Sequence, residues 1–243
     1  MQILVKFPTR SRPHKALSRL DELFSYAEKP ENIRVLISYD ADDPSMNQEW
    51  VKNALSKYGA TLIRGTSENK IHAVNRDMEI SGDWDIGVLL SDDMVCQQTG
   101  WDTILVNTMK EHFPDTNGAL WFWDGDPNTQ LTFDHRGIRN KGLCTMNIFG
   151  RKWFEFRGGW YKPEYKSLWC DNEETDVMMN EFERYYEGKG KYFYSDRVLF
   201  RHVHYSNTRG EAPDELMRKT QTFYHVDKMV YEHRKMKNFD LVK

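Results

Sequence analysis

Asp85-Ile86-Gly87-Val88-Leu89-Leu90-Ser91-Asp92-Asp93-Met94 is the stretch on which the reading of the fold turns. An apolar run of strand length ends abruptly in two adjacent carboxylates, the pattern of a buried parallel strand that carries charge to the rim of a sheet. Adjacent carboxylates repel, so they are held by a cation or by helix N-termini. A hard divalent ion such as Mg2+ or Mn2+ suits them, because it takes carboxylate oxygens and fills its other positions with water and phosphate. One reading is therefore a metal–diphosphate site. The competing one is an Asp-rich turn that caps the next helix.

Upstream, the same form recurs. Ile3 to Phe7 predicts a strand that runs into Pro8-Thr9-Arg10-Ser11-Arg12-Pro13, with Pro13 in the first turn of a helix that buries Leu17, Leu20, Phe24 and Ala27. Arginines at a strand's carboxyl end, beside a helix N-terminus, suit a phosphate or nucleotide. Arg34 to Tyr39 is a second strand, ending in Asp40-Ala41-Asp42-Asp43-Pro44. Ser45 through Gln48 predicts a capping box before a helix with Val51, Ala54, Leu55 and Tyr58 inward. Thr61 to Arg64 is a third strand, and Asn69-Lys70 opens a helix that turns Ile71, Val74 and Met78 inward. Lys70, Asn75 and Arg76 are left for a ligand or for solvent.

Alternating strands and helices specify a parallel, doubly wound α/β sheet. Strand after strand ends in charged or hydroxylic residues, which a purely structural sheet does not need. No glycine-rich fingerprint follows any strand, which argues against NAD and Walker-type ATP sites. A nucleotide here has to be held by side chains and a metal.

Composition narrows the class. The 243 residues fit one large domain with a proper core, and 34 basic against 37 acidic residues, a formal charge of -3, leave no footprint for general nucleic-acid or anionic-membrane binding. Cys96, Cys144 and Cys170 have no metal-like spacing, and their odd count fits a reducing compartment. No run reaches membrane-spanning length and the N-terminal residues lack a signal-peptide core, so the expectation is a cytoplasmic protein.

Further along, Trp101 to Met109 reads as an amphipathic helix after Gly100, and Gly118 to Trp123 as another strand closed by a turn at Asp124-Gly125-Asp126-Pro127. Residues 128–142 read as a mobile loop, either a lid over the donor or an ordinary connection. The aromatic stretch from Leu143 to Tyr165 offers Trp153, Trp160, Tyr161 and Tyr165 either as core or as stacking faces. Asp171 lies at the head of a helix, with Glu174 three residues on in a capping pattern. His202 and His204 alternate onto one strand face, where two imidazoles can chelate, or one can ligate while the other orients a neighbour. Residues 206–243 have a helical pattern that packs on the sheet or mediates oligomers.

Taken together, Pro8-Thr9-Arg10, Asp40 after the second strand, Lys70 to Asn75, and Leu90-Ser91-Asp92-Asp93 resemble the family 2 glycosyltransferases of GT-A fold. The resemblance continues through Gly159 to Tyr165, Cys170-Asp171-Asn172-Glu173 and Phe200 to His204, and so spans about residues 3–205. It implies one GT-A-like domain over residues 1–205. The nucleotide-sugar half occupies about 1–110, the acceptor half about 111–205, and a helical extension follows at 206–243.

The implied activity is transfer of a sugar from a UDP- or GDP-sugar to the hydroxyl of a glycan or other acceptor, with inversion, assisted by Mn2+ or Mg2+. The resemblance places Thr9, Arg10 and Asp40 on the nucleoside and Lys70 and Asn75 near ribose or diphosphate, with Arg12 among the donor contacts. It assigns the metal to Asp93 with His202, His204 being the other candidate, and Asp92 to nucleotide or sugar hydroxyls. Asp171 becomes the base, with Glu174 as its alternate, and Trp160 and Tyr161 the acceptor platform. Where the family usually has Asp-x-Asp, this chain begins with Ser91. Two other readings stand beside this one: a nucleotidyltransferase of similar sheet architecture, and a non-catalytic carbohydrate-binding protein.

Overall fold

The computed structural model describes residues 1–179, 190–203 and 214–241. The first part of the chain is built from β1 (Ile3–Thr9), α1 (Pro13–Ser25), β2 (Ile33–Asp40), α2 (Glu49–Ser56), β3 (Thr61–Gly65), α3 (Lys70–Asn75), β4 (Ile86–Leu89), β5 (Met94–Cys96) and α4 (Trp101–His112). There follow β6 (Ala119–Phe122), β7 (Thr132–Phe133), β8 (Arg139–Lys141), β9 (Ile148–Gly150), α5 (Arg151–Arg157), α6 (Cys170–Met178), β10 (Tyr192–Ser195), β11 (Phe200–His202), α7 (Glu215–Gln221) and α8 (Tyr224–Met236).

Seven strands form one sheet in the order β10-β6-β9-β4-β1-β2-β3. All its neighbouring pairs are parallel except those of β9, which runs antiparallel to both β4 and β6. The apolar run at Ile86 to Leu89 is thus an interior strand between β1 and β9, as its hydrophobicity requires. Ile3, Val5, Phe7, Val35, Ile37, Ile86 and Val88 are buried against Leu20, Leu23, Val51, Leu55, Leu105 and Met109 of the flanking helices.

Several local expectations change. β1 runs on to Thr9, so Pro8 lies within the strand. Pairing of β1 with β4 ends at Lys6, and Pro8 projects on that side past the end of β4, where a missing N–H breaks no ladder. Ser45 does not cap α2. Asp43 Oδ1 accepts from its backbone N at 3.0 Å and its hydroxyl at 2.7 Å, and the helix starts only at Glu49. The segment 128–142 is not simply a loop, since β7 and β8 pair in it as a short antiparallel hairpin. β9 has no counterpart in the strands expected from the sequence, because its three residues leave no periodic pattern.

A second, two-stranded ribbon pairs β5 with β11 antiparallel, setting Met94 opposite His202. The backbone N of Val203 donates to Asp93 O at 2.8 Å, which extends that pairing to the carboxylate pair. No described helix is long and apolar enough to cross a membrane.

Candidate active site

The site forms at the carboxyl ends of β1, β2 and β4, where open α/β sheets take ligands. Thr9 and Asp40 are buried at the adjacent ends of β1 and β2, and Thr9 Oγ1 and Asp40 Oδ1 have no hydrogen-bond partner. Buried polar atoms left open in this way point to a ligand that completes them. The other Asp40 oxygen accepts from Arg10 at 2.7 Å, and Arg10 also grips Asp42 through both terminal nitrogens at 2.6 and 3.0 Å. Beneath this edge, fully buried Lys6 donates to Ser38 Oγ and to Arg76 O, the latter at 2.8 Å, while Ser38 donates to Asp77 at 2.6 Å. Burial lowers the Lys6 pKa to about 8, with Asp77 opposing the shift.

Asp92 and Asp93 part company at the end of β4. Asp92 accepts from Arg12 Nη1 at 2.7 Å, and Arg12 Nε donates at 2.9 Å to Asp214, the residue that caps α7. Two sequence-derived donor contacts are therefore engaged with each other. Asp93 turns the other way, accepts from Ser91 Oγ and lies with Oδ2 3.4 Å from His202 Nε2. Ser91, in the place of a first aspartate, thus orients Asp93.

On the far side of the imidazole, His202 Nδ1 lies 3.6 Å from Asp124 Oδ2. Asp124 is buried and is itself held by Thr145 Oγ1 at 2.7 Å, Thr129 Oγ1 at 2.5 Å and the Asp126 backbone N at 3.0 Å. Burial disfavours the charged ring, but hydrogen bonds with Asp124 and Asp93 prevail and raise the His202 pKa to about 9. For Asp93, burial pushes the pKa up, and the His202 hydrogen bond and charge, the Ser91 hydroxyl and the Lys70 ammonium together bring it well below the carboxylate range. Asp124 was read from sequence as part of a turn of Asp, Gly and Pro. The turn is real, but its first carboxylate also serves the histidine, a role no local pattern announces.

Asp171 lies in the first turn of α6, partly buried. Burial raises its pKa, while the charges of Lys70 and His202 and the backbone N–H of Asn172 pull the other way. Lys70, exposed at the start of α3, is close enough for its charge to favour the ionised forms of both Asp93 and Asp171.

Three sequence-derived roles do not survive the packing. Glu174 is 1 % exposed and accepts from Arg157 Nε at 2.9 Å and Nη2 at 2.7 Å, so its carboxylate is a buried ion-pair partner and not a base. Trp160 is fully buried, its ring stacked on Phe149 and edge-on to Phe154, and Tyr161 is buried beside it, so neither offers a face to an acceptor. Asn75 is used internally: Nδ2 donates to Tyr161 O at 2.7 Å, and Oδ1 accepts from the Trp160 and Tyr161 backbone at 3.0 and 3.2 Å. It ties the 159–161 loop to α3 instead of reaching a diphosphate. His204 lies outside the described residues.

Whether these groups fit a divalent ion is a matter of number and spacing. Among the described residues, no cluster of three or more His, Cys, Asp or Glu is arranged to hold a metal. Asp93 and His202 do fit as two ligands of one ion. Their 3.4 Å separation is close to the roughly 3 Å expected of neighbouring positions around an octahedral ion with bonds of about 2.1 Å. Asp124 beside Nδ1 leaves Nε2 facing Asp93, the arrangement in which a carboxylate orients a metal-binding histidine.

No protein-family model matches the sequence, and a search of curated proteins finds no match. Solved structures do match in three dimensions. A mannosyltransferase from Pyrobaculum calidifontis, solved with GDP-Man and Mn2+, superposes with TM-score 0.58 over 86 % of this chain at 15 % identity. S. aureus TarS gives 0.62 over 84 % at 12 % identity, and GalNAc-T7, solved with UDP, GalNAc and Mn2+, gives 0.63 over 98 % at 11 % identity. The fold is that of the GT-A glycosyltransferases. This GT-A chain spans 58 % of the mannosyltransferase's length, 37 % of TarS and 54 % of GalNAc-T7. A cytidylyltransferase from Leptospira borgpetersenii shares the sheet more loosely, with TM-score 0.50 at 15 % identity.

Proposed function

We propose that this GT-A protein transfers a sugar from a nucleoside-diphosphate sugar to an acceptor hydroxyl, with inversion and with a divalent ion. The observation that carries the reading is the approach of His202 Nε2 to Asp93 Oδ2, 3.4 Å apart, just past the carboxyl end of β4. In this reading Thr9 Oγ1 and Asp40 Oδ1, both buried without a hydrogen-bond partner, receive the nucleoside, with Arg76 Nη2 4.0 Å from the carboxylate.

Asp93 and His202 would hold Mn2+ or Mg2+, which supplies charge neutralisation on the departing diphosphate. Ligation at His202 Nε2 requires the neutral ring, so cation and proton compete for that nitrogen. Lys70 adds a positive charge from the α3 side. Asp171 takes the proton of the acceptor hydroxyl as the oxygen bonds to the anomeric carbon and the carbon–oxygen bond to the diphosphate breaks. One such displacement inverts the centre. A carboxyl whose pKa burial has raised is a better proton acceptor than a solvated one.

The test is a thermal-shift screen of UDP-, GDP-, CDP- and dTDP-sugars with and without Mn2+, followed by calorimetry on wild type and Asp93→Ala, since ligands that bind only the native state raise its melting temperature. Stabilisation by a UDP- or GDP-sugar that needs Mn2+ and is lost in Asp93→Ala is the expected result. Equal UDP or GDP affinity in both proteins, with and without Mn2+, removes the reading. The cytidylyltransferase likeness makes a nucleotidyltransferase the second reading, and CTP with Mg2+ in the same screen separates the two. Against it stands the 8–13 segment, which lacks the glycine-rich loop that cradles a triphosphate.

A further inference from the structure

Helix α8 reaches the loop before α6 through one carboxylate. Asp227 is fully buried and accepts from three consecutive backbone amides, those of Lys166, Ser167 and Leu168, at 2.9, 2.8 and 2.7 Å. Hydrogen bonds to a carboxylate are roughly twice as strong as neutral ones, and three on successive residues fix the path of the chain. The next residue, Trp169, has φ 63°, a left-handed conformation that a bulky side chain keeps only where its surroundings impose it. Cys170 then opens α6 and Asp171 follows.

The same helix also grips α6 beyond Asp171. Arg234 donates to Glu173 at 2.7 and 3.0 Å, and Lys235 donates to Asp176 at 2.9 Å. The Arg234 and Lys235 contacts set the helix, and the Asp227 contact sets the loop that feeds it. Asp171 sits between the two anchors, and on its entry side the Trp169 ring also packs against Tyr224 and Tyr231 of α8 while Ile71 N donates to Lys166 O at 3.4 Å.

We infer that Asp227 is a positioning residue for the reaction: by holding the 166–168 amides it fixes the left-handed step at Trp169 and with it the reach of Asp171 toward Lys70 and His202. The inference rests on the reading of Asp171 as the base. It makes α8 part of the scaffold of the active site, where the sequence offered only an appended helix.

The experiment uses the full chain carrying Asp227→Asn or Asp227→Glu. It follows hydrogen exchange across residues 166–172 and release of nucleoside diphosphate from whichever of UDP-GlcNAc and GDP-mannose stabilises the protein with Mn2+. Expected are faster exchange in that segment, turnover lowered about tenfold or more in Asp227→Asn, partial retention in Asp227→Glu, and donor affinity within about twofold of wild type. Combined with Asp171→Asn, the Asp227→Asn loss should largely vanish, because both act through one group. A lower melting temperature with wild-type turnover per folded molecule overturns the inference, as do losses that multiply in the double variant. Wild-type turnover in Asp227→Asn beside a large loss in Asp171→Asn overturns the positioning role alone, whereas full turnover in Asp171→Asn overturns the base reading itself. Should neither variant fold, exchange in the wild-type chain decides: protection at residues 166–168 is required, and exchange at open-loop rates overturns the clamp.

Discussion

Asp124 Oδ2 and His202 Nδ1 lie 3.6 Å apart, and this contact turns the remaining ring nitrogen toward Asp93. If Asp93 and His202 hold the metal, Asp124 acts on it at one remove. Asp124→Asn should weaken Mn2+-dependent UDP or GDP binding by about 10- to 100-fold, the scale on which outer partners of metal-bound histidines act. Titration calorimetry at fixed nucleotide reads this directly. The loss should stay below that of His202→Ala, and an Asp124→Asn affinity equal to wild type removes Asp124 from the site.

Asp171→Asn separates base from helix cap. Loss of a general base lowers turnover roughly a hundredfold or more while donor affinity stays near wild type. A cap tolerates Asn, whose side-chain oxygen also accepts a backbone N–H bond. Steady-state kinetics alongside donor calorimetry distinguish them, and full activity in folded Asp171→Asn excludes the residue from the mechanism.

Arg157 makes hydrogen bonds to both Glu173 and Glu174 inside the protein. Arg157→Met leaves these carboxylates buried with one neutralising partner fewer. Breaking a buried pair from one side costs about 3–5 kcal/mol. Urea unfolding should show that loss, and a change below about 1 kcal/mol would mean that Arg234 alone neutralises the pair.

Lys6 supplies a pH dependence of stability. Its folded pKa of about 8 lies below the free value of 10.5, so between those pH values the unfolded chain binds the proton more tightly than the native one. Stability therefore rises as pH climbs through that window, and the burial penalty is fully present below it. The swing attributable to this group is on the order of 3 kcal/mol. Lys6→Met should flatten the difference between urea midpoints at pH 7 and pH 10, and an unchanged difference would contradict the assignment.

The alternating half of the fold was legible because long buried strands write their burial into composition. Ile3 to Phe7, Arg34 to Tyr39 and Ile86 to Leu89 all lie within or along the sheet edge that carries the site. β9 was not, since three residues between polar segments give no period to read. Among site residues, Asp93 and His202 were named from position and the structure puts them face to face. Asp124 was assigned to its turn in preference to a metal site, and Asp227 was passed over, because their partners are distant in sequence and a carboxylate in a turn or on a charged helix has an ordinary local explanation. Trp160 and Glu174 failed for the opposite reason: aromatic or acidic type alone does not say whether a side chain faces a cleft or another side chain.

The ribbon of β5 and β11 stands apart from the main sheet, three residues paired with three. Two-stranded ribbons are marginal in water on their own. Because one strand adjoins Asp93 and the other ends at His202, fraying of the ribbon and separation of these two groups are one event. A cation shared between them would act as a cross-link on a pairing of only three residues. Donor and metal would then hold the ribbon closed, and slower amide exchange at Met94 to Cys96 and Phe200 to His202 would be the signature.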